Sequence, residues 1–151
     1  MTETVDAALV AEATKKAAIV WLTVGDHPAY PLWCAPIGDA VHVVTGPGEQ
    51  PAPGLLDATN VRVSARGDHG GRIVTWTASV VPVDPASGDW PVVATQLAGK
   101  RLNAAGTVDD VVARWARECA VLRLAPTGEV VETVATTPAT SEAAPPPPVA
   151  P

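Results

Sequence analysis

A chain of 151 residues is long enough for one domain around one core. Its hydrophobic fraction of 47% fits a folded globule, and no apolar run reaches the roughly 20 residues needed to span a bilayer. The formal net charge of -6 excludes a sequence-independent nucleic-acid binder, because nothing offsets phosphate repulsion.

The start, MTETVDAALVAEATKK, is acidic and lacks a charged-then-apolar leader, so no signal peptide is expected. Cys34 and Cys119 are too few and too far apart for a disulfide framework. They read as buried free thiols of a cytoplasmic protein. Phe is absent while Trp occurs five times and Pro sixteen, which reads as a high-GC compositional bias rather than a site.

In chain order, Val5 to Lys16 forms an amphipathic helix, with Val5, Ala8, Leu9 and Ala13 near helical spacing and Thr4 as its cap. Ala18–Val24 is a strand broken by Gly25-Asp26-His27-Pro28. Ala29–Ile37 is a second run in which Pro31 and Pro36, lacking an N–H, point to an edge or a bulge. Gly38-Asp39 makes a tight hairpin turn into a third strand, Ala40–Thr45. A loop rich in Gly and Pro follows, from Gly46 to Gly54.

Asn60–Arg66 alternates, Val61, Val63 and Ala65 on one side and Arg62, Ser64 and Arg66 on the other, as a half-buried strand does. A turn at Gly67–Gly71 leads into a long strand, Arg72–Val83. Asp89 caps a helix with Trp90 and Pro91 in its first turn, running to about Leu97. Thr107 and Asp110 form a capping-box variant before a helix through Arg117. Ala120–Ala125 is a last strand, and Thr127-Gly128 turns into a short extension through Val134. From Ala135 the composition shifts to Ala, Thr, Pro and Ser, ending in PPPPVAP, which cannot bury enough apolar surface to order itself. The expected organisation is a domain over 1–134 and a disordered Pro/Ala-rich tail over 135–151. Six strands with short helices and short hairpins imply a mainly β, closed or partly closed antiparallel barrel.

The order of these elements resembles the flavin-binding split β-barrel of pyridoxamine 5'-phosphate oxidase and its small actinobacterial flavin and deazaflavin oxidoreductase relatives. The resemblance covers roughly Asp6 to Thr133. It rests on HPAYPLW, HVVTG, the Asn60–Arg66 and Arg72–Val83 hairpin, and VLRLAPTG. It implies a six-stranded split barrel of the FMN-binding type and a homodimer with FMN or deazaflavin in a groove between subunits. It also implies binding groups on the second to fourth strands and on the loop after the third.

Carried over, Tyr30–Pro36 would line one wall of the groove, with Trp33 at an aromatic position. Thr45 and Gly46 lie where the chain leaves the strand toward the phosphate. The loop Pro47–Leu56 departs from the family pattern. It has no Ser, Arg or Lys, Glu49 adds negative charge, and Pro47, Pro51 and Pro53 each remove a donor. A phosphate needs donors and positive charge. The loop is either a rigid surface connection or a pocket lip with Glu49 and Gln50 turned inward. Lys100, Arg101 and Asn103 make either an anion site or ordinary surface charge. Arg62, Arg66 and Arg72 read as solubilising strand charges.

His27, His42 and His69 match no metal spacing, and His42 reads as a solvated strand residue. No nucleophile elbow, phosphate loop or dinucleotide fingerprint is present. Cys34 has no local base, so a catalytic thiolate is not expected. The tryptophans are mostly core or interface, with Trp33 and Trp76 candidates for a pocket.

Two functions from different classes compete. One is a flavin- or deazaflavin-dependent oxidoreductase acting on a small molecule, in which the cofactor carries the chemistry. The other is a catalytically silent binding module with a remodelled groove. An interaction role for the Pro-rich tail is a weaker third. No metal, membrane or nucleic-acid partner is expected.

Overall fold

The computed structural model describes residues 2–66, 73–101 and 106–134. The turn around His69, Arg72, Asn103 and the Pro-rich tail lie outside them. Helix α1 (Thr2–Lys16) precedes strands β1 (Ile19–Thr23), β2 (Tyr30–Trp33), β3 (Ala35–Ile37) and β4 (Ala40–Thr45). A 3-10 turn at Leu55–Asp57 leads to β5 (Asn60–Arg66) and β6 (Ile73–Pro82), then α2 (Trp90–Lys100), α3 (Val108–Glu118) and β7 (Ala120–Val134).

The seven strands form one antiparallel sheet in the order β2-β1-β5-β6-β7-β4-β3. Its two edge strands are consecutive in the chain and separated only by Cys34. The sheet therefore curls into a nearly closed barrel, with one segment serving both edges. The expected count was six, because Ala29–Ile37 reads as a single run. That run divides because its first half pairs with β1 (Leu32 opposite Val20) and its second half with β4 (Pro36 opposite Val41). Both prolines sit in edge strands, where a missing N–H leaves no ladder bond unmade.

Strand alternation fills the barrel interior with Val20, Leu22, Val41, Val43, Val61, Val63, Val74, Trp76, Leu122 and Leu124. Helix α1 adds Val10, Ala13 and Ala17 to this core. It packs against β3 through β7, which lays it across the barrel rather than along one strand. A second core lies outside the wall, where Trp90, Val93, Ala94 and Leu97 of α2 and Val111 and Trp115 of α3 pack on Ala35, Val44 and Val121.

Every residue of β4 is consequently buried. This overturns the expectation of a solvated His42. The side chain does point away from Val41 and Val43, but the outer face of β4 is covered, and His42 is only 3% exposed. Its Nδ1 has no hydrogen-bond partner. Burial pushes the imidazole down from 6.5 to about 4, against partial support from the Ala40 backbone. Cys34 is buried as expected, whereas Cys119 is partly exposed.

Other boundaries shift for local reasons. Helix α2 runs three residues past Leu97, so Lys100 ends a helix instead of opening a loop. Asp89 takes its N-cap position without a side-chain cap bond. The expected turn at Thr127-Gly128 is an irregularity inside the continuous β7: Gly128 has φ +95, and the β6–β7 register slips on either side of Trp76. The capping box of α3 is complete, with Thr107 Oγ1 accepting from Asp110 N at 3.2 Å and Thr107 N donating to Asp110 Oδ2 at 3.1 Å.

Two outcomes follow. Thr107→Ala is expected to cost about 1 kcal/mol in urea denaturation. An unchanged midpoint would show that Val111 and Trp115 alone fix α3. For His42 the folded state disfavours the charged form, so stability is complete above pH 6.5 and falls as the pH drops through about 4. The loss is on the order of 3 kcal/mol. His42→Leu is expected to flatten that limb of a stability-versus-pH curve, and an unaltered limb would refute the assignment.

Candidate functional site

The loop after β4 departs at Gly46, whose φ is +140 and where a Cβ would sit 2.9 Å from Cys119 Cα. Only glycine lets the chain pass this close to the α3–β7 junction. Glu49 N donates to Gly46 O at 2.9 Å, and Thr45 Oγ1 donates to Gln50 O at 2.7 Å, folding the loop back on its own strand. Tyr30 Oη donates to Pro53 O at 2.9 Å and holds the far end.

Glu49 has a fully buried side chain. Its Oε1 accepts from Arg101 Nε at 2.9 Å, and its Oε2 accepts from Arg114 Nη2 at 2.7 Å and Trp115 Nε1 at 3.0 Å. The same arginines donate to the loop backbone, Arg114 to Pro47 O at 3.0 Å and Arg101 to Gly48 O at 3.2 Å. Burial alone would raise the carboxyl pKa, but the bonds from Trp115, Arg114 and Arg101, with the charge of Arg101, hold it below the ordinary carboxylate value. Glu118 adds a second negative charge acting on Arg114.

Gln50 faces the opposite way. Its Oε1 accepts from Trp33 N at 2.9 Å, and its Nε2 donates to Trp33 O at 3.0 Å and Val44 O at 3.3 Å. The β3–β4 register, extended by two residues, would set Trp33 opposite Val44. The carboxamide thus stands in for a strand where the barrel wall parts.

Most residues singled out from the sequence meet here. Trp33, Thr45 and Gln50 are joined by hydrogen bonds, Gly46 starts the loop, and Glu49 pairs with Arg101. Lys100 is exposed, and its charge reaches Cys34, whose thiol burial pushes up to about 12 despite that cation. A thiol held so high supplies no thiolate. Trp76 is buried in the barrel core, and Arg62 and Arg66 are exposed on β5. Arg114 and Trp115 were not expected at this site. They arrive through the packing of α3, which the loop sequence does not encode. Among the described residues no group of three His, Cys, Asp or Glu side chains could hold a metal ion. No described helix is long and apolar enough to cross a membrane.

The loop does not fit a phosphate by itself. It has no cation, its acid is already engaged, and two of its carbonyls point at arginines. The positive charge lies beside it, on Lys100 and the two arginines.

Glu49→Ala leaves two partly buried arginines without their carboxylate and is expected to cost about 3 kcal/mol. Glu49→Gln, which keeps an acceptor for Trp115, is expected to cost less. The pair's contribution is present at neutral pH and is lost as the pH falls through the lowered carboxyl value. Equal chemical-denaturation midpoints for wild type and Glu49→Ala would show that the cluster does not hold the loop.

No protein-family model and no curated protein matches the chain. Solved structures do. HutZ, the heme storage protein of Vibrio cholerae, superposes with a TM-score of 0.57 at 16% identity, covering 81% of this chain and 90% of that one. A NimC/NimA family protein of Clostridium acetobutylicum gives 0.51 at 16% identity, over 82% and 88%. The FAD binding protein of Mycobacterium smegmatis gives 0.51 at 16% identity, over 82% and 94%. With the consecutive edge strands, these similarities show that the chain shares its fold, a nearly closed antiparallel split β-barrel, with those proteins.

Proposed function

We propose that the protein binds a flavin-type cofactor, FMN or a deazaflavin, at the seam between β2 and β4, as a homodimer whose groove is shared between subunits. The observation that carries this reading is the convergence of Trp33, Thr45 and Gln50 at the seam, with Lys100 and the Glu49–Arg101–Arg114 cluster nearby. Similarity in fold to a protein named for FAD binding and to one named for heme storage supports it.

In this reading Trp33 offers an aromatic wall, and Lys100 attracts the anionic tail. Glu49, Gln50 and Arg101 hold the loop in place. A bound flavin or deazaflavin would supply hydride chemistry on a small molecule, with the chain providing position and electrostatics.

A second reading, a catalytically silent binding module, is favoured by one specific feature: Glu49 takes up the two arginines that would otherwise serve a phosphate.

Fluorescence-quenching titrations with FMN and riboflavin separate the two. FMN is expected to bind about 10-fold tighter than riboflavin, as one extra charge contact implies. Lys100→Ala, an exposed change, is expected to remove most of that difference. Equal affinities would overturn the role of Lys100. Absence of quenching by flavin or deazaflavin would favour the silent module.

A further inference from the structure

Away from the seam, a depression of about 400 Å³ opens on the outer face of the barrel, where β1, β5 and β6 run side by side. The register sets Thr23 opposite Arg62 and Arg62 opposite Thr77, one row across three strands. The neighbours of that row along each strand, Leu22, Val61, Val63, Trp76 and Ala78, are buried in the core. Alternation therefore turns the row outward. All three of its residues line the depression. Directly opposite residues stand about 5 Å apart at Cβ, so the Arg62 side chain rises between two hydroxyl-bearing ones.

Asn60 joins them from the same face, two residues before Arg62. Its Oδ1 accepts from Ser79 Oγ at 3.5 Å, which leaves its amide N–H groups for another acceptor. Arg62 is exposed, so a solute reaches it directly. Among the described residues its side chain has no ion-pair or hydrogen-bond partner, and none of them brings a carboxylate into this depression. Asp26 and Asp57 line a second depression of about 700 Å³, which adjoins the first at Gly25 and Asn60.

One guanidinium with a donor on three sides matches a negative group that has several acceptor oxygens. A tetrahedral phosphate ester presents three such oxygens, and a carboxylate presents two. The acids next door repel a second negative charge on the same ligand and favour a positive one. We infer that the Thr23–Arg62–Thr77 row binds a small phosphate monoester, its oxygens on the guanidinium and the flanking donors. The rest of the ligand, neutral or cationic, extends toward Asp26 and Asp57. The site is distinct from the β2–β4 seam and independent of what binds there.

The test follows the Thr23 and Thr77 amides by NMR in the full chain during titration with O-phosphoethanolamine, 3-phosphoglycerate and propionate. The expected result is a saturable shift with O-phosphoethanolamine, about 5-fold weaker binding of 3-phosphoglycerate and about 10-fold weaker binding of propionate. Arg62→Gln, an exposed change, is expected to weaken O-phosphoethanolamine about 10-fold and to leave the melting temperature unchanged. Lys100→Ala is expected to leave that affinity unaltered. No saturable shift at the two threonines would overturn the proposal. So would propionate binding as tightly as the phosphate esters, unchanged affinity in Arg62→Gln, or loss of binding in Lys100→Ala.

Discussion

The barrel depends on one segment belonging to both edges of its sheet. Between Trp33 and Ala35 the chain exchanges one neighbour for another, and the wall parts there because a backbone cannot pair with both at once. Cys34 N still donates to Ala18 O at 2.9 Å, leaving the peptide groups of Trp33 to face the gap. Unpaired peptide groups at a partly buried edge would cost free energy and invite foreign strands. The Gln50 carboxamide carries the carbonyl and N–H of a peptide unit plus one further N–H, and it fills that gap. The loop is therefore part of the wall rather than an appendage to it.

The second constraint is that β4 has protein on both sides. With the barrel core within and the helical pair without, its six residues read AVHVVT, an almost unbroken apolar run. A strand buried on both faces loses the alternation that reveals its orientation. The only polar side chains it carries, His42 and Thr45, are the ones that need partners. Thr45 finds one in the loop, whereas the Nδ1 of His42 does not.

Much of this was legible in the residues. The alternation of Val61, Val63 and Ala65 with charged and polar neighbours gave β5 its limits, Gly38-Asp39 marked the hairpin, and Thr107 with Asp110 marked the start of α3. These signals are local, carried by turn chemistry and period. The division at Cys34 was not legible, because it follows from which strands pair and not from residue type. The burial of His42 was hidden for the same reason: alternation showed that it points outward, but not that α2 covers it. At the site, the loop's lack of basic residues was plain. That Arg101 and Arg114 would reach it from 52 and 65 residues away is a tertiary fact.

Glu49 and Gln50 are adjacent, and their side chains serve opposite directions, one toward the helical layer and one into the wall. Inserting or deleting a single residue between Gly46 and Glu49 would break the Gly46–Glu49 turn and displace both attachments together. Single substitutions at Gly46 and Glu49 are already costly, and the length of the loop cannot drift. Change in the groove must therefore come by exchanging side chains on a fixed frame, so the spacing from the end of β4 to the acid–amide pair is a sharper mark of this architecture than the surrounding glycines and prolines.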